Sequence, residues 1–163
     1  MKTNACRLLD VLQIEYETCA YEVDPDDLSG QTVAEKIEMP PEQVFKTLLC
    51  RVDSNTIVFA VLSVADELDF KKLAAAAGGR RAELVSIKEV QPLTGYIRGG
   101  VTVLASKKPF PVFVEKTIQF FDLISVSAGM RGLQIVLSPA SYLRAAEAQL
   151  ADLTRSSAHG GAL

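Results

Sequence analysis

Histidine is almost absent from the 163-residue chain, tryptophan is wholly absent, and only three cysteines occur. The one histidine, His159, sits in the stretch Arg155-Ser-Ser-Ala-His-Gly-Gly-Ala-Leu163, whose make-up predicts a flexible tail over 155–163. Its isolation removes Ser-His-Asp and Cys-His catalysis and most histidine-bearing metal sites. Cys6, Cys19 and Cys50 are odd in number and widely spaced, so neither a disulfide framework nor a four-ligand zinc site is written. A reducing compartment fits best, and neither metal nor cofactor is expected. The longest apolar stretch, Thr56 to Ala65, is far too short to span a bilayer. Met1 to Leu12 carries Lys2, Arg7 and Asp10 and lacks a cleavable apolar segment. The expectation is a soluble, cytoplasmic protein with no membrane partner. No glycine-rich nucleotide-binding sequence follows a strand, so nucleotide-cofactor chemistry has no support.

What is present fits one domain, expected over 1–154, since about 150 residues per domain is the usual prior. The composition, 48% hydrophobic and 23% charged, is ordinary globular usage. The net charge of −3 argues against a generic nucleic-acid binder. Its distribution says more. Residues 1–42 hold three bases against ten acids, and the remainder holds fourteen bases against ten acids. The basic remainder provides for one face able to meet phosphates, although solvated surface charge is the commoner origin of such an imbalance.

Thr3 ahead of Ala5, Leu8, Leu9 and Leu12 predicts a first helix ending near Gln13, and Ile14 to Tyr21 a strand. Residues 24–30 read as a loop, 32–37 as a short helix, and Pro41 as the start of a helical turn. Val44 to Val52 and Thr56 to Ser63 predict a hairpin turning at Asp53-Ser-Asn55. Asp69 caps a helix closed by Gly78-Gly79. Ala82 to Val85 reads as a strand, and Ser86-Ile-Lys-Glu89 has capping-box form. Four further strands are predicted at Val101–Leu104, Val112–Val114, Leu123–Val126 and Leu133–Leu137. Ser138-Pro139 then opens a last helix with Leu143, Ala146 and Leu150 on one face. Helices early and strands clustered late predict an α+β architecture around a mixed sheet.

Two signals point to chemistry. Lys46 shares a predicted strand face with Leu48 and Cys50, where it must find partners, snorkel to water or lose basicity. It suits a phosphate or a developing negative charge, although an edge lysine guarding against aggregation has the same pattern. Glycines cluster at Gly95, Gly99, Gly100, Gly129 and Gly132, and Ser127-Ala-Gly-Met-Arg-Gly132 follows a strand in the manner of an anion nest or of a plain β-turn. Cys50 reads as a packed core residue and Tyr21 as a strand-end aromatic.

The segments Tyr21-Glu-Val-Asp-Pro25, Pro41-Glu-Gln-Val-Phe-Lys-Thr-Leu-Leu49, Glu67-Leu-Asp-Phe-Lys-Lys-Leu73, Thr94-Gly-Tyr-Ile-Arg-Gly-Gly100 and Val126-Ser-Ala-Gly-Met-Arg-Gly-Leu133 occur in that order. Together they closely resemble the YbaK/ProRS-associated domain family, in particular its free-standing, EbsC-like Cys-tRNA(Pro) deacylases, over residues 3 to about 153. The resemblance implies a three-layer α/β fold with a bifurcated mixed sheet flanked by helices, and trans-editing that removes a mischarged amino acid from tRNA. It carries the family's lysine to Lys46, its pocket tyrosine to Tyr21, and its loop serine and glycine to Ser127 and Gly129. With these go Ala128 in the catalytic loop, and Thr47, Gly99, Gly100, Arg131 and Gln134 around the substrate. Lys46 is expected to anchor the terminal phosphate or ribose oxygens, while the N–H groups of Ala128 and Gly129 stabilise the oxyanion. The implied nucleophile is water or the substrate's own thiol. The implied partners are the acceptor end of aminoacyl-tRNA and, beside it, prolyl-tRNA synthetase.

Three positions depart from the family pattern. Ala128 stands where it has glycine, Gln134 where it has aspartate, and Val103 where the element beginning at Gly99 has proline. The first is expected to add a methyl to the pocket-facing loop, a change of about 1–3 kcal/mol that bears on amino-acid specificity more than reaction class. The alternatives are a non-catalytic tRNA- or synthetase-binding module, or a small-molecule binder using the same pocket.

Overall fold

A computed structural model describes residues 2–155, so the tail expectation for 156–163 lies outside the described residues. The element order is α1 (Asn4–Val11), β1 (Glu17–Ala20), α2 (Gly30–Lys36), a 3-10 turn (Pro41–Gln43), β2 (Phe45–Val52), β3 (Thr56–Ser63), α3 (Phe70–Ala76), β4 (Ala82–Leu84), α4 (Ile87–Thr94), β5 (Val112–Glu115), a second 3-10 turn (Lys116–Phe120), β6 (Ile124–Ser127), β7 (Leu133–Leu137), α5 (Pro139–Ala146) and β8 (Gln149–Ala151). Side-chain oxygens of Thr3, Ser29, Asp69 and Ser138 accept from N–H groups in the first turns of α1, α2, α3 and α5, satisfying donors that have no partner inside the helix. Ser86 is the residue before α4, but its hydroxyl donates to the Glu89 carboxylate (3.0 Å), so the expected capping box is only half made.

The strands form two sheets, one of order β1-β7-β6 and one of order β4-β2-β3-β5-β8. The larger is mixed: β2 is antiparallel to β3 and β4, whereas β3–β5 and β5–β8 are parallel. A single parallel bridge, Val44 to Ser125, joins the sheets at the root of β2, and this is the fork that the resemblance implied. Phe45, Leu49, Val126, Ala128, Ile135 and Tyr142 belong to the core beneath the fork. Cys50, Leu62, Leu73, Phe113 and Leu153 form a second core under α3. Even and odd residues of β2 thus serve different cores, as a strand's two-residue alternation requires.

Two predicted elements fail for tertiary reasons. Val101–Leu104 forms no strand. Thr102, Val103 and Leu104 are buried in an irregular segment that ends at Ala105, which has φ 55°, and the Tyr96 hydroxyl donates to Leu104 O (2.6 Å). Leu150 is not on the last helix: Glu147 adopts the left-handed conformation (φ 50°, ψ 47°), ends α5, and releases Gln149–Ala151 to extend the sheet beside β5. Arg155, expected in the tail, is held by Glu67 through its N–H (3.1 Å) and its guanidinium (3.1 Å).

Candidate functional site

The fork leaves a gap in the ladder of β2. Val64 N–H donates to Val44 O (2.8 Å), and Phe59, the cross-strand neighbour of Leu49, sends its N–H to Pro111 O (2.8 Å) rather than to β2. Leu49 O in turn accepts Val85 N–H (3.0 Å) from the β4 side. Alternation along an antiparallel strand then directs the main-chain groups of Phe45, Thr47 and Leu49 to the edge away from β3. Val44 is bridged to β6 and Leu49 is bonded to Val85, so Thr47 lies between the two places where that edge is covered. No ladder of either sheet reaches Thr47 there.

A cavity of about 420 Å³ opens onto this gap. Lys46, Thr47, Gly99, Ser127 and Gln134 line it, with Leu28, Val33, Leu84, Val85, Ile87, Val90 and Val101 as an apolar wall and Arg98 as a further basic group. Mostly apolar walls with a few convergent polar groups are the make-up of a ligand site. A larger groove of about 880 Å³, between α1 and the start of α5, contains none of the expected residues.

The half-buried Lys46 ammonium donates to Asp66 O (2.8 Å), in the turn after β3. Burial lowers the lysine's pKa from its ordinary value, while Asp66 and Glu67 oppose that shift. It is therefore a cation held by one carbonyl, with donors left for a ligand. Cys50, fully buried two residues beyond Leu48, has its thiol pushed up to about 12 by burial, which makes it a core residue and no nucleophile.

The 127–132 loop corrects two expectations. Ala128 N–H donates to Leu133 O (3.1 Å) and Gly129 N–H to the Ser127 hydroxyl (3.1 Å), so both expected oxyanion donors are engaged. The Ala128 methyl adds nothing to the cavity, because the residue is fully buried in the core on the same strand face as Val126. Ser127 and Gln134 are cross-strand partners, and Gln134 accepts from the Ser125 hydroxyl (2.8 Å) while lining the cavity. Tyr21, Gly100, Ala128, Gly129 and Arg131 lie outside the lining. Tyr21 N–H ties β1 to Gly132 O (2.9 Å), and Arg131 Nε donates to Arg98 O (2.8 Å), clasping one loop to the other.

Gly100 owes its smallness to that clasp: a Cβ there would lie 3.0 Å from Met130 C and Cα. Gly100→Ala is therefore expected to cost about 1–3 kcal/mol through overpacking against backbone that has no rotamer to escape into. A urea midpoint, read beside KM for the substrate, checks whether the separated loops also widen the site.

Sequence reasoning missed Arg98 and the apolar wall. Arg98 lay inside a quoted segment, between Ile97 and Gly99, but only its glycines were singled out. The wall comes from α2, β4 and α4, whose proximity no local pattern reports.

The aminoacyl-tRNA editing domain family matches residues 25–145. EbsC of Enterococcus faecalis, named as a candidate Cys-tRNA(Pro)/Cys-tRNA(Cys) deacylase, is 37% identical over 94% of this chain and 93% of its own. The Escherichia coli (strain K12) Multifunctional Ser/Thr-tRNA deacylase ProXp-y is 32% identical over 68% of each chain. A crystal structure of a candidate trans-editing enzyme for prolyl tRNA synthetase superposes with a TM-score of 0.78 at 20% identity, covering 96% of this chain and 99% of that one. The chain belongs to the aminoacyl-tRNA editing domain family, and the fold agrees with that of the trans-editing structure.

Proposed function

We propose that the protein is a cytoplasmic trans-editing deacylase, a translation quality-control enzyme that hydrolyses the ester between a mischarged amino acid and the tRNA 3′-terminal ribose, with Cys-tRNA(Pro) as its first substrate. The observation that carries this reading is the 37% identity to EbsC across nearly the whole chain, together with a cavity that gathers Lys46, Thr47, Ser127 and Gln134 at the sheet fork. In this reading Lys46 and Arg98 hold the terminal phosphate or ribose oxygens by charge-assisted bonds. The aminoacyl group lies between Thr47 and Ser127, whose hydroxyl accepts from Gly129 and keeps its own proton to donate. Attack on the carbonyl carbon, by water or by the substrate thiol, moves an electron pair to the carbonyl oxygen. When that pair returns, the C–O bond breaks and the ribose oxygen takes the proton that the nucleophile gives up, leaving the free amino acid where water attacks and the thiolactone where the thiol does.

Specificity follows from the small apolar space and from Gln134, a neutral amide where the family has a carboxylate. A non-catalytic binding module would need Ala128 and Gln134 to disable the site, and Ala128 is buried in the core instead of lining the cavity. Prolyl-tRNA synthetase remains the proposed neighbour.

The test is deacylation of tRNA(Pro) charged with Cys, Ala, Ser, Thr or Pro. Selective loss of the Cys ester supports the reading, and loss of Ser or Thr esters keeps the chemistry while moving the specificity. Retention of bound tRNA with every ester intact overturns it in favour of the binding module.

A further inference from the structure

We infer that the aminoacyl group binds to the open edge of β2 as a one-residue strand, with the Thr47 carbonyl accepting the substrate's α-ammonium and the Thr47 N–H serving as the oxyanion donor. This rests on the deacylase reading and names the recognition element of that site.

Three observations carry it. The first is the gap itself. The ladder bonds to β3 belong to even residues of β2, and the opposite edge is covered at Val44 by β6 and at Leu49 by Val85. The Thr47 N–H and C=O are thus turned to the cavity that Thr47 lines. No assigned ladder or bridge takes up that edge of Thr47, so its main-chain donor and acceptor stand where a further strand would bond. The second is the loss of the expected donors, since the N–H groups of Ala128 and Gly129 are bonded within their own loop. The third is chemical fit. An aminoacyl ester presents one donor, the ammonium, and one acceptor, the carbonyl oxygen, on either side of its α-carbon. A residue of an antiparallel partner presents the same pair to the strand beside it.

The side chain of a residue bound this way projects from the sheet edge toward one face, so the pocket reads it separately from the main-chain contacts. The arrangement admits any L-aminoacyl ester to the edge and leaves selection to the apolar wall and Gln134. As the nucleophile adds, the electron pair pushed onto the carbonyl oxygen is met by a donor fixed in the sheet, which needs no reorganisation. The same oxygen lies within the cavity shared with Ser127.

Two measurements test the inference. In the first, tRNA(Pro) carries a 3-mercaptopropionyl ester, which keeps the thiol and the carbonyl and lacks only the ammonium. Each enzymatic rate is divided by the ester's own alkaline hydrolysis rate. The expected result is a loss of about 10- to 100-fold in kcat/KM relative to the cysteinyl ester. In the second, a protein joined by ligation at Cys50 carries the α-hydroxy counterpart of threonine at position 47, so that a main-chain oxygen replaces the N–H. Its expected loss is about 10²- to 10³-fold in kcat with KM little changed. If the cysteinyl ester is cleaved but both substitutions leave the normalised rates unchanged, this inference falls and the deacylase reading stands. If wild-type protein cleaves no ester at all, both fall. Should the main-chain ester fail to fold by circular dichroism, the substrate arm decides alone.

Discussion

Lys46→Ala is expected to lower kcat/KM for the aminoacyl ester by about 10- to 100-fold, the worth of one or more hydrogen bonds to a charged group, while the protein stays folded. The fold should survive because the residue contributes little to it. The ammonium is half-buried, makes one bond to Asp66 O, and has its pKa lowered by burial. The lowered pKa fixes the sign of a second effect. The unfolded chain holds its proton more firmly than the native one, so between the native value and the ordinary lysine value of about 10.4 stability rises with pH, and this rise should be missing in Lys46→Ala. If the charge anchors substrate, activity above the spontaneous hydrolysis rate should fall off at a pH below the ordinary lysine range. Lys46→Arg, charged throughout that range, should remove the fall-off. A pH profile of kcat/KM for the three proteins checks the set. Full activity in Lys46→Ala would assign the anchor to another cation.

The largest effect on stability is expected at a residue far from the cavity. Glu115, 1% exposed at the end of β5, receives Thr117 N–H on Oε2 (2.9 Å) and Leu153 N–H on Oε1 (2.8 Å). It thereby caps the following turn and fixes the segment after β8. Glu115→Ala strips both donors of their acceptor in a place that water reaches poorly. At about 1–3 kcal/mol for each unsatisfied group, the loss is about 2–6 kcal/mol, a large share of the roughly 5–15 kcal/mol that a domain has in all. Glu115→Gln, which keeps one acceptor oxygen, should recover part of it. Urea unfolding monitored by circular dichroism gives both numbers, and a wild-type midpoint in Glu115→Ala would show that water replaces the carboxylate.

The legible parts of the fold were those with local causes. Asp53-Ser-Asn55 between two apolar runs specifies its hairpin, and Asp69 and Ser138 announce helix starts, because a cap acts within four residues. Val101–Leu104 misled because its apolar character reflects the packing of an irregular segment, and Leu150 because its spacing fits α5 although the helix ends before reaching it. The first is pinned by Tyr96 through Leu104 O, and the second is cut off from α5 by Glu147.

The site divided in the same way. Lys46, Thr47, Gly99, Ser127 and Gln134 do share a cavity. The direction of the Lys46 head depends on a hydrogen bond to the distant Asp66, and the engagement of the Ala128 and Gly129 amides on a turn geometry that residue types do not announce. Main-chain groups such as those of Thr47 leave no trace in residue types at all.

Lys46 leans on the turn at Asp66, and the residues beyond that turn are fastened from the far end of the chain: Asp69 N–H donates to Leu153 O (2.7 Å), Arg155 N–H to Glu67 O, and Lys72 Nζ to Thr154 O (2.7 Å). During synthesis Lys46 emerges early and its supports emerge late. A ribosome-bound chain that has not yet released residues 149–155 therefore holds the lysine and the hairpin without the fastening of the turn beside them.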